Sequence, residues 1–232
     1  MRDPLRSIQA DRPFSRAAAF GSFRFEQCTA PGPSLSGDVF DFLSTGDGIG
    51  TICFGDAAGH GSAAAMISAL TRRCLRAEPS HLTSPARMIA GVNRLLTKAQ
   101  TKFVSLWIGA FDQSGDISFV DAGHGHWFVL EPAGTIRALS RAGSIPVGID
   151  PHAEFATQQF RLEPGEKLVL FSDGITEQRS PTGEEFGLAR LLGIVRSSRG
   201  EGVGASVLLA ARDHSGTGIL CDDASIAIIE RL

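Results

Sequence analysis

The sequence predicts an α+β fold built on mostly antiparallel sheets, and three features of its patterning carry that expectation. Short runs rich in β-branched and aromatic residues, closed by Gly, Pro or Asp, recur along the chain, as in FVSLWIGAFD, DISFVDAG and KLVLFSD. Two neighbouring stretches between residues 62 and 99 carry helical periodicity instead. Most links between the extended runs are too short for a parallel crossover, so adjacent strands should run antiparallel. Two sheets packed face to face, with helices outside, would bury these runs.

Bulk composition narrows the class. The 232 residues are 43% hydrophobic and 20% charged, enough apolar material for one substantial core. A formal charge of −3 makes nucleic acid a poor partner. Cys28, Cys53, Cys74 and Cys221 are scattered without a CxxC pair, which argues against a zinc site and a disulfide framework and fits a reduced cytoplasm. The first residues lack an apolar signal core, and no segment has the ~18 consecutive apolar residues of a membrane span. A soluble cytoplasmic protein is expected, with no membrane partner.

Residues 1–19, with Arg2, Arg6, Arg12, Arg16 and two prolines, read as a tail or linker remnant, and residues 20–232 as a single domain. AFGSFRFEQC opens the ordered part as an aromatic strand. DVFDFLSTGDGIGTICFGD reads as an antiparallel hairpin turning at Thr45-Gly46-Asp47-Gly48. A helix then starts at Ser62, entered through Gly59-His60-Gly61, with Met66, Ala69, Leu70, Arg73 and Cys74 at helical spacing. A second begins at Ser84-Pro85, serine as N-cap and proline as first helical residue, and runs through Met88, Ile89, Val92, Leu95 and Leu96. Beyond it lie the strands FVSLWIGAFD, DISFVDAG, HWFVLEP, TIRALS, ATQQFRLE and KLVLFSD. The helices GLARLLGIVRSS and VGASVLLAARDHS and the strand ASIAIIERL complete the chain.

The placement of aspartates points to chemistry. Asp56 and Asp173 follow the C-terminal ends of strands, while Asp38 and Asp222 precede the N-terminal ends of others. In an antiparallel sheet the end of one strand lies beside the beginning of its neighbour, so all four can reach one edge. Two ionised carboxylates ~4 Å apart repel by ~4 kcal/mol at an effective dielectric of 20, so convergence requires a counter-charge. No lysine or arginine adjoins these motifs in sequence, and an oxygen-only donor set suits Mg²⁺ or Mn²⁺. A cleft with two divalent ions is therefore expected. Small residues at Ala57, Ala58, Gly59 and Gly174 leave room for carbonyls and waters. A water shared by two such ions is a hydroxide source near neutral pH, and phosphoester hydrolysis follows naturally.

The same residues carry a family resemblance. Ser36-Gly37-Asp38-Val39-Phe40-Asp41, Gly55-Asp56-Ala57-Ala58-Gly59-His60-Gly61, Asp121-Ala122-Gly123-His124, Ile145-Pro146-Val147-Gly148, Ser172-Asp173-Gly174-Ile175-Thr176-Glu177, Phe186-Gly187 and Asp222-Asp223-Ala224-Ser225 resemble, in order, the motifs of the SpoIIE-type phosphatases. That group is the bacterial branch of the metal-dependent PPM serine/threonine phosphatases. The resemblance runs from about residue 20 to the C-terminus and implies an αββα sandwich, two Mn²⁺ or Mg²⁺ ions, and hydrolysis of phosphoserine or phosphothreonine on a protein. It implies Asp38, Asp56, Asp173 and Asp222 as metal ligands, Ala57 as a ligand through its carbonyl, and Asp223 in a supporting role. It also implies a phosphorylated STAS-domain anti-anti-sigma factor as substrate in a partner-switching pathway. Control is expected to act on the helices of residues 62–99, through another protein, a sensor domain or a homodimer. Ser36, Ala57-Ala58 and Ser225 depart from the family's usual residues, but no carboxylate is lost.

Other candidates have plainer readings. His60 could donate to a phosphate or be a turn histidine satisfied by backbone. Asp41 and Glu177 could orient bound waters or be solvated surface. His124 and His126 read as structural polar contacts, and Trp107 and Trp127 as core. GDAAGHGS lacks the Gly-Lys-Ser/Thr ending of a nucleotide loop. A catalytically quiet module that binds a phosphoprotein is the main alternative; a glycosidase with paired carboxylates is a third class.

Overall fold

The computed structural model describes residues 14–44, 48–77, 82–137, 143–198 and 200–232. The first half of the chain forms β1 (Phe14–Phe20), β2 (Phe23–Ala30), β3 (Asp38–Ser44), β4 (Gly50–Ala57), α1 (Gly61–Ala77) and α2 (Pro85–Lys98). β5 (Val104–Phe111), β6 (Asp116–Ala122), β7 (Trp127–Leu130), β8 (Ile136–Arg137), β9 (Gln158–Arg161) and β10 (Lys167–Phe171) follow. The chain ends with α3 (Asp173–Thr176), α4 (Gly187–Ser197), α5 (Val203–His214) and β11 (Ala224–Arg231).

The strands form a six-stranded sheet, β1-β2-β11-β10-β7-β8, and a five-stranded sheet, β3-β4-β5-β6-β9. Every neighbouring pair in both sheets is antiparallel, as the short connections require. Alternation along each strand separates two apolar layers. Phe23, Phe54, Trp107, Phe119, Trp127 and Leu170 meet between the sheets, which places both tryptophans in the core. The opposite faces carry helices: α1 and α2 cover the five-stranded sheet through Val39, Ile67, Ile89 and Ile108, and α4 and α5 cover the other through Val169, Leu191, Val207 and Ile226. The αββα expectation is met.

Several local expectations need correction. Residues 14–19, assigned to a tail, form most of β1, which pairs with β2 from Phe14↔Thr29 to Phe20↔Phe23; residues 1–13 lie outside the described residues. The hairpin β3–β4 forms, although residues 45–47 of its turn are likewise outside them. On α1 the buried stripe is Ala64, Ile67, Ser68, Thr71 and Leu75, while Met66 is 71% exposed, so the spacing through Met66 and Arg73 follows the outer side of a real helix. Alanine-rich faces carry too little contrast to fix which side is inward. Ser84 occupies the N-cap of α2 and Pro85 opens it, but the serine side chain makes no capping hydrogen bond. α3, a single turn after β10, went unread because its Asp-Gly start looks like a turn.

A buried acid fixes α5 to the six-stranded sheet. Glu26 on β2, 8% exposed, accepts hydrogen bonds from the N–H groups of Gly202, Val203 and Gly204 at 3.1, 3.2 and 2.8 Å. These are N-terminal donors of α5 that have no partner within the helix, and a carboxylate there also meets the positive end of the helix dipole. Glu26→Gln is expected to lower unfolding free energy by about 1–2 kcal/mol in urea denaturation, because the amide removes the charge and turns one acceptor into a donor facing N–H groups.

Candidate functional site

Strand register brings the predicted carboxylates to one rim. Asp38, the first residue of β3, pairs directly with Asp56 near the end of β4. At the matching end of the other sheet, β10 runs out at Phe171 opposite Ile226 of β11, and the Ser172 N–H donates to Ser225 O at 2.9 Å. Asp173 therefore follows the end of one strand while Asp222 and Asp223 precede the start of its partner. Gly174 makes the close approach possible: a Cβ there would lie 2.0 Å from Asp223 O.

Asp223 joins the two sheets at this rim. Its carboxylate accepts from the Gly32 N–H at 2.8 Å and the Gly37 N–H at 2.9 Å, fixing the loop that delivers Asp38. The Gly37 carbonyl in turn accepts from the Ala57 N–H at 3.2 Å. Both oxygens of Asp223 thus hold backbone N–H groups. Asp222 Oδ1 accepts from the Asp223 N–H at 2.8 Å.

The crowding shows in the electrostatics. Burial pushes the Asp38 carboxyl well above its ordinary range, and the charges of Asp56, Asp223 and Asp173 add to this, while the Ser225 hydroxyl opposes it. Asp56 is pushed up to about 7, first by burial and then by Asp173, Asp222 and Asp223. These carboxylates therefore share one electrostatic environment.

The residues suit a hard divalent cation. Asp38 Oδ2 is buried without a hydrogen-bond partner among the described residues, which leaves one acceptor of that carboxylate desolvated. A Cβ at Gly37 would lie 3.1 Å from Asp56 Oδ1 and 3.2 Å from the Ala57 carbonyl, so that carboxylate and carbonyl edge the same small space. Among the described residues no three His, Cys, Asp or Glu side chains form a ready-made cage. Mg²⁺ retains several waters and is held by few carboxylates, so an open donor set is compatible with it.

Asp41 does not join this rim. It lies three residues after Asp38, so strand alternation turns it to the opposite face. There it is 4% exposed and accepts from Arg76 Nε at 2.6 Å and Nη2 at 2.7 Å, pinning α1 to β3. Neither expectation for Asp41, orienting bound water or lying solvated at the surface, is met. His60 is exposed between Gly59 and Gly61, both at positive φ. Asp121 accepts from the His124 and Gly125 N–H groups and from Trp127 Nε1, the last at 2.8 Å, so that motif organises a turn. Burial, with His126 nearby, drives the His124 imidazole down to about 3, and it stays neutral. One residue escaped sequence reasoning: the Lys102 ammonium lies beside Gly59, within 2.7 Å of where a Cβ would be. Its distance from the motifs in sequence hid it.

Because the folded-state pKa of Asp56 lies above that of an unfolded aspartate, its contribution to stability is full below about 4 and is lost as pH rises through about 7. Chelator-treated protein should therefore resist urea better as pH falls from 8 toward 5, and Asp56→Asn should flatten that trend. Asp223→Asn keeps one acceptor but aims an amide donor at an N–H, and should weaken Mn²⁺ binding about 10–100-fold in calorimetry while the fold persists.

Comparison with known proteins agrees with this architecture. The family model for Stage II sporulation protein E (SpoIIE) matches residues 47–232. The chain is 30% identical over 192 residues to Protein IcfG of Synechocystis sp., covering 70% of this chain and 30% of that protein. It is 23% identical over 158 residues to the phosphoserine phosphatase RsbU of Bacillus subtilis, covering 67% of this chain and 47% of that protein. It thus spans less than half the length of either relative. The PP2C phosphatase domain of SpoIIE from Bacillus subtilis superposes with a TM-score of 0.73 at 18% identity, covering 98% of this chain and 74% of that one. RsbX in complex with magnesium gives 0.71 at 14% identity, covering 93% and 98%. At these identities the structures establish the fold alone, two antiparallel sheets flanked by helices as in PP2C phosphatase domains. With the family model matched across four-fifths of its length, the chain belongs to the SpoIIE family.

Proposed function

We propose that this chain is a metal-dependent protein serine/threonine phosphatase, with Asp38, Asp56, Asp173 and Asp222 and the Ala57 carbonyl as the groups that hold two Mn²⁺ or Mg²⁺ ions. The observation that carries this reading is the cross-strand pairing of Asp38 with Asp56, under the shared field of Asp173, Asp222 and Asp223. Divalent cations bound there supply charge neutralisation for a phosphate and an acidified water. The chain's own work is positional. Asp223 holds the loop before Asp38, and Gly174 lets the two sheet ends close on each other.

RsbU is a phosphoserine phosphatase by name, which supports phosphoserine as the target, and a STAS-domain anti-anti-sigma factor is the proposed carrier. A cytoplasmic setting suits that partner; among the described residues no helix is long and apolar enough to cross a membrane. Control is proposed to enter through α1 and α2. Ser68 Oγ donates to the Asp38 carbonyl at 2.8 Å, and Ala64 packs where a Gly37 Cβ would stand, so α1 bears directly on the residue that begins β3.

Hydrolysis of p-nitrophenyl phosphate should depend on Mn²⁺, stop with EDTA, and fall at least about 100-fold in Asp173→Asn, with the circular dichroism spectrum retained. Turnover that persists in EDTA would overturn the reading. Absent turnover with retained phosphoprotein binding would favour the quiet regulatory module.

A further inference from the structure

A basic, partly apolar face adjoins the carboxylate rim. The segment after α2 runs beside the Gly-His-Gly turn: Phe103 O accepts from the Ala58 N–H at 2.9 Å, and Lys102 Nζ sits against Gly59, three residues beyond Asp56. On its other side this segment joins the loop after residue 143 through reciprocal hydrogen bonds of 3.0 Å between Val104 and Val147. Asn93 of α2 fastens that loop, accepting from the Gly148 N–H at 2.7 Å and donating to the Asp150 carbonyl at 2.8 Å. Between α2 and the loop lies a groove of about 400 Å³, walled in part by Arg94, Lys98 and Ile149. Gln100, also on its wall, holds a positive φ of 50°, a conformation that L side chains rarely adopt.

This face is unusual in charge and in exposure. Arg94, Lys98 and Lys102 are exposed, and none forms an ion pair with a described residue. Phe103, Ile145 and Ile149 are 44%, 45% and 52% exposed within the same stretch. The loop's carboxylates are Asp150, whose Oδ1 accepts from the His152 N–H, and Glu154, one residue before buried Phe155. Arg94 and Lys98 thus border an open apolar groove without an ion pair among the described residues, and Lys102 lies along the chain between that groove and the Gly59 turn beside the candidate cleft.

We infer that this face docks the acidic chain segment flanking the phosphorylated residue of the substrate. The inference rests on the phosphatase reading. Acidic residues would meet Arg94 and Lys98, an apolar side chain would enter between Phe103 and Ile149, and Lys102 would stand between the groove and the cleft. The cations set which phosphorylated segment is accepted, since charge at the margin of an interface acts mainly on encounter and partner choice.

The test compares two synthetic phosphoserine peptides, one flanked by Asp and Glu, the other by Lys, as substrates with Mn²⁺. The acid-flanked peptide should have a kcat/KM about tenfold higher, with the ratio shrinking as salt rises from ~0.05 to ~0.5 M. Arg94→Glu and Lys98→Glu, both on the exposed side of α2, should collapse or invert that ratio; Arg196→Glu, on α4 over the other sheet, should retain it. Equal kcat/KM values, or a preference for the lysine-flanked peptide, overturn the inference even where p-nitrophenyl phosphate is hydrolysed. Should the wild type hydrolyse nothing, the phosphatase reading fails, and the docking face is judged by fluorescence anisotropy of the same two peptides. Equal affinities then overturn it, and tighter binding of the acid-flanked peptide sustains it.

Discussion

Asp38 and Asp56 are directly opposed across β3 and β4, and like charges in that position destabilise an antiparallel pair. Asp173, Asp222 and Asp223 deepen the repulsion from the second sheet. A chain left to itself would relax such a cluster by splaying the strand ends. That it holds together reflects attachments made away from the charges, and most of the sandwich can be understood as supplying them. The sheets adhere through an aromatic layer in which Trp107, Phe119 and Trp127 pack ring against ring. Asp223 then spends both oxygens on N–H groups of Gly32 and Gly37, which fixes the distance between the sheets where the repulsion acts.

Buried carboxylates in this fold fall into two kinds, separated by their partners. Glu26, Asp41, Asp121 and Asp223 are each surrounded by donors: helix N–H groups, a guanidinium, a turn with an indole, and a loop. Each stabilises its surroundings because its acceptors are filled. Asp38 differs, with a buried oxygen that no donor among the described residues meets and a neighbour of its own sign. A group in that condition is a poor contributor to folding and a good one to cation binding. The contrast is internal to the molecule and does not depend on any relative.

Much of this could be seen in the residues alone, and the failures share a cause. Strand-terminal aspartates were legible because antiparallel pairing converts sequence position into a shared edge. The helix pair was legible because proline at 85 and the return of periodicity are local signals. Asp41 misled because it stands three residues from Asp38 in a motif, and only the pleat separates the two faces. Met66 misled because the alanines around it, at 63 to 65 and 69, give the first turns of α1 little amphipathic contrast. Lys102 stayed hidden because its place beside Gly59 arises from β4–β5 pairing between Ala57 and Val104, a contact of residues far apart in the chain. Local chemistry was readable, whereas contacts made only by folding were not.

The proposed coupling of α1 to the site would act through its contacts with β3. Arg76 clamps Asp41 at the middle of β3, and Ser68 binds the carbonyl of Asp38 at its start. α1 therefore holds the first half of the strand, and in the proposed coupling its displacement along β3 would move Asp38 relative to Asp56. On the far side Asp223 resists that movement through Gly37. Two holds from opposite elements on the adjacent residues Gly37 and Asp38 would favour a choice between defined positions over a continuous drift, because packed interfaces shift between discrete arrangements. The exposed outer side of α1, with Met66 open to solvent, is where a partner could act on that choice without entering the cleft.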